Sequence, residues 1–208
     1  MIIKAKRSME KQGISHNQLY FVIRYKENIK SGEKIFYIFD DCKTLSWENA
    51  EYFSVETCSL DNYKKEISDD TVCYTYKNLD DSFFSDFYLE NDASEKAVIK
   101  LENTIVDVIA EELTAKEILK NIDDIGLNGE SVEYQLKAFF KICSKEEAVA
   151  LVNILGNYSP EIYAYLFEII VTSIISYKGK EIDSLLSEIF SCPLCSEKLR
   201  DIISDYWM

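Results

Sequence analysis

The chain has 208 residues, 47% of them hydrophobic, and a net charge of −14. That length can bury the core of one large domain or two small ones, and the composition excludes a disordered chain. The charge sets the surface against nucleic-acid phosphates and anionic membranes, and it favours basic partners.

The opening MIIKAKRSMEKQG has two isoleucines and then charges, without the apolar stretch of a secretion signal. The expected location is cytoplasmic. Six cysteines, at 42, 58, 73, 143, 192 and 195, are too sparse for a disulfide scaffold and are expected as free thiols.

Residues 1–91 read as strands. QLYFVIRY (18–25), KIFYIFDD (34–41) and 71–76 alternate aromatic and β-branched residues at period two, which suits a pleated surface. Residues 2–6 and 51–57 are weaker strands, and FFSDFYLE at 83–90 reads as a last one. Gly32, among charged residues, predicts the turn of a hairpin. Antiparallel pairing follows from the amphipathic tyrosines.

At residue 91 the hydrophobic period changes, and residues 92–208 read as about seven helices. Asp92–Glu95, Thr114–Glu117 and Ser144–Glu147 have the capping-box pattern, in which a short polar side chain and a glutamate three residues on satisfy each other's amides. Ser196 is the expected cap of the last helix. The most apolar run, Ile162 to Tyr177, has Glu168 as its only charge. Ser159-Pro160 before it predicts a helix start, and the run is expected to be the most buried helix. Its sixteen residues are short of the roughly 20 that a bilayer needs. Short connections imply helical hairpins, without a repeat of fixed period. The class is α+β: a mostly antiparallel sheet, then a multi-helix region. No flexible linker parts them, so the two regions are expected to pack together.

Chemistry is sparse. His16 is the single histidine, in a polar stretch, and a His-based metal centre or triad lacks its partners. No phosphate-cradling glycine motif occurs. Cys192-Pro-Leu-Cys195 is half a zinc knuckle or a redox dithiol by spacing, but a second pair and a thioredoxin-like context are both missing. The expectation is therefore no catalytic residue, no metal, no cofactor and no enzyme.

The acidic residues are more informative. Residues 1–91 carry a balance of −4, and residues 92–208 one of −10. Asp80, Asp81, Asp86, Glu90 and Asp92 have no base among them and surround Phe83, Phe84, Phe87 and Tyr88. Asp123, Asp124, Glu130 and Glu133 lie between Lys120 and Lys137. Aromatic anchors beside carboxylates suit a surface that binds a basic protein, the rings giving area and the charges association rate. The candidate partner-binding residues are Asp80, Asp81, Asp86, Tyr88, Glu90, Asp123, Asp124, Glu130 and Glu133.

In size, acidity, tyrosine content and lack of a catalytic motif, the whole chain resembles the small acidic immunity proteins that bacteria make against polymorphic toxins, including those of contact-dependent growth inhibition. The resemblance implies a bacterial protein that binds and blocks a basic toxin domain, such as a nuclease, without catalysis. Two alternatives stand beside it: a small cytosolic enzyme with a carboxylate or thiol site, and a phosphate mimic that occupies a DNA-binding protein. The interspersed lysines argue against the mimic, which needs carboxylates in long rows.

Overall fold

The computed structural model describes residues 1–9, 12–79, 81–88, 92–128, 131–193 and 195–208. Among them are seven strands followed by eight helices, an α+β chain whose first helix begins at Asp81, ten residues before the change expected at 91. They form two compact units, Met1–Leu113 with Gly129–Ser131, and Thr114–Asn128 with Val132–Met208. The first two helices thus belong with the sheet.

In the first unit β2 (Leu19–Asn28) is the spine of an antiparallel sheet. One edge of it pairs with β3 (Lys34–Phe39), which pairs with β4 (Leu45–Asn49). The other edge forks. Residues 19–21 pair with β1 (Ile2–Ala5), which leads to β5 (Phe53–Thr57). Residues 24–28 pair with β7 (Thr71–Tyr76), which leads to β6 (Tyr63–Ser68). At the fork the buried Tyr63 hydroxyl donates to the Val22 carbonyl, a group at the register shift of β2. The β2–β3 turn is closed by Gly32 at φ +71°, a left-handed conformation that a side chain would disfavour. β4 and β6 are the two strands that period-two reading missed. Each is rich in charged or polar residues and sits at a sheet edge, where such residues discourage further pairing.

One face of this sheet is aromatic and buried. The Tyr25, Phe36 and Phe53 rings follow one another at 5.7 and 6.1 Å. α2 (Asp92–Glu112) packs on β2 and buries Leu101, Ile105, Val108 and Ile109 at helical spacing. Glu112, at its end, accepts from the Thr57 hydroxyl.

The segment expected as a last strand is a helix, α1 (Asp81–Phe87). Phe83 and Phe87 are one turn apart and meet ring to ring at 5.7 Å. Spacing of three and four decides the matter, because it collects these rings on one side of a helix, whereas a strand would divide them between two faces. α1 packs against α2, with Phe83 buried.

The second unit is a stack of helical hairpins. α3 (Ala115–Ile125) packs on α5 (Lys145–Leu155), and α5 on α7 (Lys180–Ser191). α6 (Ala164–Ile174) packs on α8 (Glu197–Trp207), which also meets α7. α4 (Ser131–Ile142) returns the chain between α3 and α5. Both capping boxes in this unit form: Thr114 and Ser144 accept from the amides of Glu117 and Glu147, whose carboxylates take the caps' own amides at 2.8 Å. Ser196 caps α8.

The apolar run departs from expectation in two ways. Ser159-Pro160 closes a turn instead of opening a helix. The Ser159 carbonyl accepts from Ile162 and Tyr163, both at 3.2 Å, with Pro160 in the position where its fixed φ favours a β-turn. The helix starts only at Ala164, and the side chain of its N-cap Tyr163 does not bond to the helix amides. The run is also not the most buried. Phe167, Ile170, Val171 and Ile174 are covered, but Tyr165 is 58% and Ile162 75% exposed. α4 lies deeper, with Val132, Leu136, Ala138 and Phe139 all at 0%.

Candidate partner-binding surfaces

Asp80, Glu90 and Glu130 lie outside the described residues. The other six expected residues fall into two places, one in each unit.

In the first unit, α1 carries Asp81 and Asp86, and Tyr88 follows it. Asp81 is not unopposed: Arg24 of β2 donates to it at 3.0 Å, from a position 57 residues earlier. The Arg24 guanidinium also lies 3.8 Å over the Phe84 ring. Tyr88 shares a 2.6 Å hydrogen bond with Tyr37, so its hydroxyl is tied to the sheet although its side chain is exposed. The aromatics of this segment pack on the sheet: Phe84 meets Tyr37 at 5.9 Å and Phe87 meets Phe39 at 6.2 Å. Phe84 and Phe87 anchor α1, whereas the Tyr88 ring is 63% exposed. Asp86 and Tyr88 keep the character that the sequence suggested.

In the second unit the arrangement is different. Asp123 and Asp124 are exposed in the last turn of α3 and make no hydrogen bond or ion pair among the described residues. That turn holds no basic residue. Helix carbonyls at this end carry partial negative charge, so two more negative groups here are a local cost. Gly126 caps the helix at φ +70°, and the Tyr158 hydroxyl lies 2.8 Å from the point that a Cβ on residue 126 would occupy. The end of α3 therefore abuts the turn between α5 and α6. Tyr158 packs edge-on against Tyr163 at 5.5 Å. Beyond it the turn and the start of α6 expose Glu161, Ile162 and Tyr165.

Glu133, in the first turn of α4, accepts from the Tyr165 hydroxyl at 2.7 Å. It is also paired with Lys137, so this carboxylate is opposed within its own helix. The structure thus brings Asp123, Asp124 and Glu133 to the same end of the helical unit. It adds Glu161, and Ile162 and Tyr165, which the sequence hid inside a run that looked like core.

Several groups that the enzymatic alternative could use are held in structural bonds or buried. The neighbouring carboxylates Asp40 and Asp41 hold a turn. Asp40 accepts from the Cys42 and Thr44 amides at 2.9 Å, and Asp41 accepts from Tyr20. Burial raises the Asp41 pKa above the usual carboxylate value. The thiols of Cys143 and Cys195 are both pushed up by burial, away from the reactive thiolate. His16 is exposed. Among the described residues, no three His, Cys, Asp or Glu side chains converge to hold a metal, and no helix is long and apolar enough to cross a membrane.

No protein-family model, curated protein or solved structure matches the chain.

Proposed function

We propose that this is a non-enzymatic binding protein that neutralises a basic protein partner, in the manner of a bacterial immunity protein against a toxin domain. The observation that carries the reading is the end of the helical unit. Asp123 and Asp124 stand unpaired among the described residues at a helix end where carboxylates are disfavoured, with exposed Ile162 on the adjoining turn and exposed Tyr165 at the start of α6. A carboxylate placed against its own helix dipole is explained by a cation that arrives from outside. Tyr165 and Ile162 supply the apolar area that such a contact needs at its centre. The net charge of −14 adds long-range attraction, which raises association rates.

The test is recovery of the native partner by affinity purification from the source cell, followed by association kinetics across a salt series. A basic protein whose association slows steeply with salt supports the reading. A co-purified small molecule or an acidic partner refutes it.

A further inference from the structure

The first unit offers a second surface, of opposite sign. In antiparallel pairs, residues directly opposite point to the same face. The register therefore lays out two cross-strand rows on the face away from the aromatic core. One runs Lys64, Thr75, Arg24, Tyr37, Trp47, and the next Glu66, Cys73, Lys26, Ile35, Asn49. α1 covers the Tyr37 and Arg24 positions, with Phe84 against both, and leaves Trp47, Lys26 and Lys64 uncovered. Asp81 forms one wall of the cleft left beside it, which Arg24, Lys64, Cys73, Thr75 and Lys77 also line.

This face is more than a solvated side of a sheet. Trp47 is 41% exposed and lies stacked on Tyr37 at 4.4 Å, a rigid ring held out to solvent. The Lys26 ammonium sits 4.2 Å above the Trp47 ring and meets no carboxylate among the described residues. Arg24 is held by Asp81, whose side chain is fully exposed, and Lys64 is held by Glu66 at 2.7 Å at the surface; pairs with such exposed partners contribute little. Three cations and a platform ring gather here in a chain whose net charge is −14.

We infer that this open sheet face, from Trp47 across Lys26 and Arg24 to Lys64, docks an acidic peptide segment of a protein, with an apolar side chain on Trp47. The occupant follows from charge and spacing. Carboxylates are the groups that complete Lys26 and can replace Asp81 on Arg24. Glu66 and Asp81, interleaved with the cations, repel a continuous phosphate backbone, and so does the charge of the whole chain. A peptide with carboxylates at intervals can place them between Glu66 and Asp81, and it meets less repulsion from the chain's charge because it carries fewer anionic groups. This surface is independent of the acidic one, so either can fail alone.

The test uses the full chain with Trp207→Phe, which leaves Trp47 as its single tryptophan. A peptide of alternating glutamate and tyrosine is titrated in, with a lysine–tyrosine peptide and an oligothymidylate as comparators. The expected result is a saturable change in Trp47 emission with the acidic peptide only, weakened by salt. Lys26→Glu and Lys64→Glu should each weaken binding about tenfold, and Asp81→Asn should tighten it by freeing Arg24. Both lysines are at the surface, and circular dichroism confirms the fold of each variant. Should Lys26→Glu fail to fold, Lys64→Glu decides. Equal response to the lysine peptide, preference for the oligothymidylate, or indifference to the charge reversals overturns the inference.

Discussion

The two ends of the helical unit treat charge in different ways. At one end α3, α5 and α7 begin side by side, and each beginning mixes signs: Lys116 with Glu117, Lys145 with Glu147, Lys180 with Glu181. Lys116 is close enough to Glu147 to help hold its carboxyl below the usual value, and the Lys145 side chain reaches the α7 cap at Gly179. Glutamates here also face the positive ends of helices. The glutamates gain from the helix ends, and Glu147 also from Lys116, although the lysines themselves sit where the dipole disfavours them. At the other end Asp123 and Asp124 have no base in their turn and face carbonyls. The contact proposed above would compensate this local cost.

The largest effect separates core from surface within this unit. Ile170 and Ile162 are eight residues apart in one apolar run, at 0% and 75% exposure. Ile170→Ala should cost about 2–5 kcal/mol, from lost transfer energy and a cavity. Ile162→Ala should leave the urea midpoint near the parent's and instead speed dissociation of the native partner. Equal midpoints for the two variants would show that α6 is not packed as described.

A second pair of changes bears on the two ends directly. Asp123→Lys with Asp124→Lys places cations where the helix dipole favours them. The double variant should be more stable by about 0.3–1 kcal/mol for each charge, yet slower to associate with the native partner. A gain in stability with loss of binding is what a functional surface predicts. Unchanged association would assign these residues to solubility. Asp86→Lys, on α1, tests the other acidic segment, and its expected effect on association is small because Phe84 and Phe87 beside it are occupied by the sheet.

These contrasts also show which features the sequence carried. The change from period two to period 3.6 located the sheet and the helices, because each period reflects which residues share a face. The capping boxes at Thr114 and Ser144 were legible because both partners lie within four residues. What depends on distant residues was not. Arg24 meets Asp81 across 57 positions, so an acidic segment that looked unopposed has its cation from β2. Four aromatics among the six residues Phe83 to Tyr88 gave a β-like composition, and their helical spacing was outweighed. The exposure of Ile162 and Tyr165 was hidden because an apolar run gives no sign of where a turn delays the helix. Asp123 and Asp124 were visible as charges, but the Gly126–Tyr158 contact that sets them beside that turn appears only in three dimensions.

The smallest effect concerns the ordered end and its pH dependence. Backbone bonds from Thr114 and Ser144 hold the Glu117 and Glu147 carboxyls below the usual carboxylate value. For a carboxyl depressed in the folded state, the folded protein binds fewer protons than the unfolded chain near the unfolded pKa. The stabilisation is therefore present above about pH 4.3 and fades as pH falls through the lower folded values. Both glutamates are almost fully solvated, so the contribution is small. Glu117→Ala with Glu147→Ala should lower stability at pH 7, and the difference from the parent should shrink as the medium is acidified below about pH 4. Thr114→Ala with Ser144→Ala removes the hydroxyl half of each box, at about 1 kcal/mol per cap, and part of that loss should persist in acid because the hydroxyl acceptor does not titrate. Urea denaturation of the two double variants between neutral and acidic pH checks both expectations. If the glutamate variant kept its full deficit in acid, the carboxylates would not be acting as caps, and the contrast between the ends of the stack would rest on the lysines alone.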